Sequence, residues 1–322
     1  MNLNKDDKPR LIPHKLNGYE FHPTCLETYI ACPRKYYFQS LLGLTPKKSI
    51  INFHFGSAYH AGVGVFHTVR GMKGKDAVKL LDTDGEYSDA LIEDNFNLAK
   101  TMSLKAFIEY WDSKRVAPSD KKNRDTGIII VGKYCDRYER DQAEYEADMI
   151  EAPLVISMEN NTTMVLTIDR INRAGDDYIT VVDNKTSGWA LTDFFWVGFK
   201  NSFQMLSYDH AVATILGHCE ANQIDAALVP WKSDLSFGRK TNMFTKMQKE
   251  SWYNTYEKAT CKICSTLTQY PIGSEQCLQE FPCCHTSCSN YGGCGFLPVC
   301  QYGLDHPAVK TQFEFEDKRE EY

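Results

Sequence analysis

The chain is 322 residues long, with 43% hydrophobic and 24% charged residues, the make-up of a folded globular protein rather than a disordered one. Lys and Arg number 36 against 42 Asp and Glu, a formal net charge of -6. That balance excludes a histone-like coat for nucleic acid, but not a local cationic surface or an acidic centre neutralised by metal. No run approaches the roughly eighteen apolar residues of a membrane span. The opening MNLNKDDKPRLIPHKLNGYE is too polar for a secretory signal, so an intracellular protein is expected.

The first twenty residues read as a polar arm. Thr24 with Glu27 suggests a capping box opening a short helix through Leu26, Tyr29 and Ile30. Pro33 then starts a second helix carrying Tyr36, Tyr37 and Leu41, with Cys32 at the junction. Residues 55–112 are mostly helical in pattern around a polar loop at LDTDGEYS. SKRVAPSDKKNRDTG, 113–127, is a basic loop, either simply solvated or a contributor to phosphate binding, and helical spacing returns in IIIVGKYCDRYERDQ. IEAPLVISM, TMVLTIDRI and DYITVVDNK are β-branched runs separated by polar turns, and predict a three-strand meander. An aromatic helix over about 198–217, a strand at IDAALVPWK and a long amphipathic helix over about 240–265 complete the pattern. The alternation fits an α/β fold, one central sheet flanked by helices, with no internal repeat.

Five of the twelve cysteines, Cys283, Cys284, Cys288, Cys294 and Cys300, fall in the last forty residues. Without a signal peptide, such clustering points to metal or iron–sulfur ligation before disulfides. Cys288, Cys294 and Cys300 are evenly spaced among Gly292, Gly293, Gly295 and Pro298, and Cys32 would make a fourth thiolate. Four thiolates suit an iron–sulfur cluster or structural Zn2+, and spacing alone leaves both open.

The most informative short segment is Val182-Asp183-Asn184-Lys185. In a strand, Asp183 and Lys185 share a face, and Asp169 is expected at the end of the preceding strand. Two carboxylates suit a hard cation such as Mg2+ or Mn2+, and a nearby lysine stabilises negative charge or positions water. Alone, D-x-K is common on surfaces, and a simple Asp183–Lys185 ion pair is the competing reading. Glu151, opening the strand before Asp169, is either an outer contributor to the site or an edge-strand solubiliser.

These residues resemble the PD-(D/E)xK nuclease superfamily, in particular its RecB-type branch of phage and CRISPR-associated exonucleases, through ordered motifs over roughly 22–300. ACPRKYYFQSLLGL resembles the amino-terminal cysteine motif and GSAYHAG the histidine motif. LTIDRI resembles the acidic motif, VVDNKTS the catalytic strand and FQMLSYDHA the Q-x-x-x-Y helix. The resemblance implies a restriction-endonuclease-like mixed sheet with a helical insertion and a terminal iron–sulfur clasp. It implies His60, Asp169 and Asp183 as metal ligands and Lys185 as the charge-stabilising catalytic residue; the backbone carbonyl of Asn184 adds a further oxygen. It implies a four-iron, four-sulfur cluster on Cys32, Cys288, Cys294 and Cys300, with Zn2+ the alternative. Related exonucleases often use a C-x2-C-x5-C pattern, so the double x5 spacing leaves Cys283 and Cys284 as rival ligands.

The expected activity is Mg2+- or Mn2+-dependent hydrolysis at DNA ends in phage recombination, replication or DNA processing. The alternatives are a CRISPR adaptation nuclease or a non-catalytic DNA-end-binding scaffold of the same fold. The helical segments around Tyr36, Tyr37, Gln204 and Tyr208 would offer stacking and backbone contacts to a single DNA strand, or support the centre. The expected partners are DNA with a free end or single-stranded region, and a recombinase, helicase or single-strand-binding protein, in the cytoplasm of a prokaryotic or phage-infected host. No Walker-type G-x-x-x-x-G-K-[ST] occurs, so any unwinding falls to a partner. The expected division is a polar arm at 1–21, a cysteine-bearing helical segment at 22–54 and a histidine-bearing helical region at 55–149. A nuclease core at 150–235, a helix and cysteine region at 236–302 and a polar tail at 303–322 follow.

Overall fold

The computed structural model describes residues 13–14, 18–47, 50–71, 95–141, 146–175, 178–229, 236–288 and 293–315. The expected loop at LDTDGEYS, the ends of the polar arm and tail, and Gly292 lie outside them. The chain divides into two compact units: one formed from 1–50, 155–166 and 245–322, the other from 51–154 and 167–244.

In the first unit, β1 (Pro13–His14) runs antiparallel to β2 (Gly18–Phe21), which pairs in parallel with the start of β5 (Thr163–Ala174). Helix α1 (Pro23–Ala31) begins one residue before Thr24. Its N-cap is His22, without a side-chain cap, so the expected capping box does not form. Proline at the first helical position has no N–H to leave unpaired and fixes φ, which suffices to start the helix. After α2 (Pro33–Tyr36) the chain widens into a π-helical turn, Tyr37–Leu41, and then β3 (Leu44–Pro46). The longest helix of this unit, α8 (Lys246–Gln269), starts at a capping box made by Thr245 and Gln248.

In the second unit, α3 (Ile50–Gly71), α4 (Phe96–Ser113) and α5 (Arg124–Arg137) pack together through Phe55, Tyr59, Phe66, Phe107, Trp111, Ile130 and Tyr134. Ala227, Val229 and Phe237 of the sheet region close the same core. The basic segment between α4 and α5 is a loop as expected, although α5 starts earlier, at Arg124, where Asn123 caps it by accepting from the Thr126 N–H at 2.9 Å.

The sheet is mixed. Strand β4 (Glu146–Ser157) pairs with β5, β5 runs antiparallel to β6 (Tyr178–Ser187), β6 parallel to β7 (Ala221–Leu228), and β7 antiparallel to β8 (Phe237–Asn242). The expected meander is thus present. Strand β8 occupies the start of the stretch read as helix from 240. FGRKTN lacks the β-branched run that signals a strand, and α8 begins only at Lys246. Between β6 and β7 lie a short helix, α6 (Asp193–Val197), and α7 (Phe203–Leu216), so the predicted aromatic helix begins later than expected.

Candidate active site

Strand β6 places its residues alternately on two faces, and the two faces do different things. Asp183 and Lys185 project to one side, where Lys185 Nζ donates to Asp183 Oδ1 at 2.9 Å and to Gln204 Oε1 of α7 at 3.1 Å. Gln204 Nε2 in turn donates to the Tyr208 hydroxyl at 2.7 Å, one helical turn on. The expected Gln204–Tyr208 pair therefore forms and orients the lysine. Tyr208 is 5% exposed, so its ring supports the centre and offers no stacking surface. Tyr36 and Tyr37 are each 2% exposed and packed on Phe281, which rules out the expected base stacking on them.

Asp169 lies in the middle of β5, not at its end. Pairing with β6 runs to Arg170–Val182, and two residues beyond Val182 the Asn184 N–H donates to Asp169 Oδ2 at 2.6 Å. A carboxylate thus satisfies a backbone donor past the end of the ladder and is fixed by it. The other oxygen, Oδ1, lies 3.3 Å from His60 Nδ1 of α3. Glu151 sits within β4 rather than opening it, with the left-handed φ of 47° that re-aims its side chain. Although Glu151 is exposed as a residue, its carboxyl end lies over Gly64, one helical turn after His60: a Cβ on Gly64 would meet Glu151 Cγ at 3.2 Å and Oε1 at 3.3 Å. One ligand atom each from His60, Glu151 and Asp169 falls within 4.8 Å of the others.

The protonation pattern reflects negative charge crowded around the buried Asp169 and Asp183. Burial, partly offset by Lys185 and reinforced by Asp169, pushes Asp183 up to about 6. Burial and then the Asp169 charge push Glu151 up to about 7. Burial disfavours the His60 imidazolium, but the charge and hydrogen bond of Asp169 outweigh it and hold His60 at about 9. Burial likewise disfavours ionised Asp169, yet His60, Lys185 and the Asn184 N–H together keep it below the usual carboxylate range. Asp183 Oδ2 is buried without a hydrogen bond, though 2.8 Å from the Lys185 ammonium. A buried carboxylate that has only this lysine for a partner among the described residues, beside two further carboxylates and an imidazole, suits a divalent cation. The residues present therefore fit Mg2+ or Mn2+.

The opposite face of β6 carries a buried network that the sequence reading missed. Asn184, Asp225 and Arg239 stand in register across β6, β7 and β8. Arg239 binds Asp225 through Nε and Nη2, both at 2.6 Å, and Asp141 through Nη1 at 3.0 Å and Nη2 at 2.7 Å. Arg170, next to Asp169, is 1% exposed and reaches Asp225 at 3.5 Å, and it hydrogen-bonds His67, two helical turns beyond His60. Tyr134 hydroxyl bridges Asn184 Oδ1 and Asp225 Oδ2, each at 3.5 Å. The signal was a lone acid inside the apolar run AALV's strand, IDAAL, where a charge needs a buried partner.

The carboxy-terminal cysteines gather with Cys32, in the first unit. The Cys284 N–H lies 3.4 Å from Cys32 Sγ, and Cys283 Sγ lies 3.8 Å from Cys300 Sγ. Cys294 N–H donates to the Cys288 carbonyl at 2.9 Å. Burial, then the neighbouring thiols Cys294, Cys32, Cys283 and Cys284, pushes the Cys288 thiol up. All four expected ligands are in this region, but the rivals Cys283 and Cys284 are there too.

A sequence model described as the PD-(D/E)XK nuclease superfamily matches residues 20–301. No curated protein matches the chain. Among solved structures, it is similar to that of a candidate exonuclease from Eubacterium rectale, at a TM-score of 0.41 and 11% identity over 80% of this chain and 84% of that one. Among the described residues, no helix is long and apolar enough to cross a membrane.

Proposed function

This chain belongs to the PD-(D/E)XK nuclease superfamily, and we propose that it is a Mg2+- or Mn2+-dependent deoxyribonuclease acting at DNA ends. The observation that carries this reading is the convergence of His60, Glu151 and Asp169 beside Asp183, with Lys185 held on the Asp183 face. His60, Asp169 and Asp183 would hold the cation, with Glu151 and the Asn184 carbonyl as additional donors. When bound, a divalent cation offsets phosphate charge and strengthens the acidity of water. The chain's own residues do the positioning. Asp169 is fixed by the Asn184 N–H and in turn orients His60. Gln204 and Tyr208 aim the Lys185 ammonium, which would stabilise the charge that builds on the phosphate oxygens as the ester bond breaks.

A four-iron, four-sulfur cluster on Cys32, Cys288, Cys294 and Cys300 would tie the amino-terminal helices to the carboxy-terminal segment, closing a very long loop at only logarithmically rising entropic cost. Hydrolysis needs no electron transfer, so its role is structural. Phage recombination or replication, with a helicase or recombinase partner, is the setting this activity suits.

The test is time-resolved digestion of end-labelled single- and double-stranded DNA with Mg2+, with Mn2+ and with chelator, on anaerobically purified protein assayed for iron, zinc and sulfide. Cation-dependent release of nucleotides from ends is expected. Intact DNA under every condition would leave a binding scaffold, cleavage of circles as fast as of linear DNA would remove the end requirement, and zinc without sulfide would replace the cluster.

A further inference from the structure

The sheet register continues the catalytic face beyond the carboxylates. Lys185 stands opposite Ala226 of β7, and Ala226 opposite Gly238 of β8. Directly opposed residues present side chains to the same face, so Gly238 lies on the Lys185 face two strand spacings away, about 10 Å. That position is covered: a Cβ on Gly238 would lie 2.5 Å from Trp196 Cζ2 and 3.4 Å from Leu191 Cδ1. Helix α6 is therefore seated by Trp196 on the face that carries Asp183 and Lys185.

The segment around it is held in shape. Ser187, the last residue of β6, accepts from the Trp189 N–H at 3.1 Å and donates to the Trp189 carbonyl at 2.8 Å. Trp196 Nε1 donates to the Leu191 carbonyl at 3.2 Å, and Phe195 packs between Trp196 and Phe199 at centroid distances of 4.9 and 5.2 Å. On this fixed base Trp189 is 83% exposed and Phe194 69%, with Val197 also exposed. Lys240, opposite Ile224 in the Asp183 row, has its ammonium 5.9 Å from the Trp196 ring centroid. Large exposed rings on a segment anchored to the face of the candidate phosphodiester centre, with a cation on the same face, are the chemistry of a base-stacking platform. The tyrosines that sequence alone offers for stacking are buried.

We propose that Trp189 and Phe194 form a stacking ledge for unpaired nucleotides of the DNA substrate, with Lys240 attracting the backbone. The ledge commits the substrate class to single-stranded DNA or ends with unpaired bases. The distance from Lys185 to the Trp196 seat spans roughly three stacked nucleotides at about 3.4 Å each. This inference rests on the nuclease reading above.

The experiment compares wild type, the Trp189→Ala/Phe194→Ala double variant and Trp189→Phe. Binding of a fluorescein-labelled oligothymidylate and of a blunt duplex of equal length is measured by anisotropy in chelator, where nothing is cut. Hydrolysis of both is then followed with Mg2+. The double variant should bind the oligothymidylate more weakly by about five- to a hundredfold for each ring lost. Its KM should rise with kcat retained, duplex binding should change little, and Trp189→Phe should keep most of the affinity. Wild-type affinity in the double variant, or equal loss on the blunt duplex, overturns the ledge, the former leaving the rings as a protein-docking surface. If wild type binds the oligothymidylate through these rings but cuts no DNA under any cation, the nuclease reading fails while the ledge stands.

Discussion

Replacing Arg239 with alanine tests whether the network behind the catalytic strand bears the weight that its geometry suggests. Arg239 makes four hydrogen bonds of 2.6–3.0 Å to two carboxylates, on side chains that are 0% (Asp225) and 8% (Asp141) exposed, and its guanidinium also covers the Tyr138 ring at 4.2 Å. Without it, the two buried carboxylates keep the Arg170 cation at 3.5 and 3.8 Å, and Asp225 keeps neutral donors in Gln223 Nε2 at 3.1 Å and the Tyr134 hydroxyl at 3.5 Å. Removing one partner of a buried pair costs about 3–5 kcal/mol, because the remaining charge stays desolvated. The residual Arg170 contacts place Arg239→Ala near the lower end, about 3 kcal/mol, a large share of the roughly 5–15 kcal/mol that holds a domain folded. Equilibrium unfolding in urea would measure it. The double variant Arg239→Ala/Asp225→Asn should be less destabilised than the two single losses summed, since the amide removes one of the stranded charges. A loss below about 1 kcal/mol, the range of exposed pairs, together with additive losses, would show that water already solvates these carboxylates.

The sequence discloses the site to the extent that its chemistry follows a strand's period of two. Asp183 and Lys185 share a face because alternation forces it, and Gln204 and Tyr208 meet because they are one helical turn apart. Asp169 reaches them through cross-strand adjacency, again a local rule. What the sequence conceals depends on distant segments or on unusual backbone. Glu151 enters the ligand group through a positive φ and a glycine on α3, neither visible in IEAPLVISM. The network draws Asp141, Arg170, Asp225 and Arg239 from a helix end and three strands, and only the packed sheet brings them together. Helical aromatics gave no sign of which rings face water, so Tyr36 and Tyr208 drew the stacking role that their burial excludes. Cys283 beside Cys300 shows the same limit: spacing narrows a thiol set without deciding its membership.

Asp183→Asn should abolish DNA cleavage while leaving the thermal transition within a few degrees of wild type, and Lys185→Ala should slow it by about 10²–10³-fold; near-wild-type turnover by either, in Mg2+, removes that residue from the chemistry. Cys32→Ala should lose iron and visible absorption and gain protease sensitivity at both ends, while Cys283→Ala keeps the iron; the reverse result exchanges the two ligands. In chelator, the folded values of Asp183 and Glu151 exceed their ordinary ones, so the native state binds the extra protons. Their stabilising contribution is therefore greatest below about pH 4 and is lost as pH rises through 6 and 7, with His60 extending the loss towards 9. Mn2+ should consequently raise Tm more at pH 8 than at pH 5.5, and an equal rise at both would separate the cation from these groups. Gly64→Ala sets stability against cation affinity. In mid-helix the substitution favours the fold by about 1 kcal/mol, yet its Cβ would crowd Glu151 Cγ at 3.2 Å and Oε1 at 3.3 Å. Glu151 has to yield by a few tenths of an ångström on a strand whose φ of 47° already fixes its direction. Urea unfolding should therefore show equal or greater stability while calorimetric titration shows weaker Mn2+ binding. Unchanged Mn2+ affinity in a folded Gly64→Ala protein would mean that the Glu151 carboxylate stands outside the cation's ligand set, leaving His60, Asp169 and Asp183 to hold it.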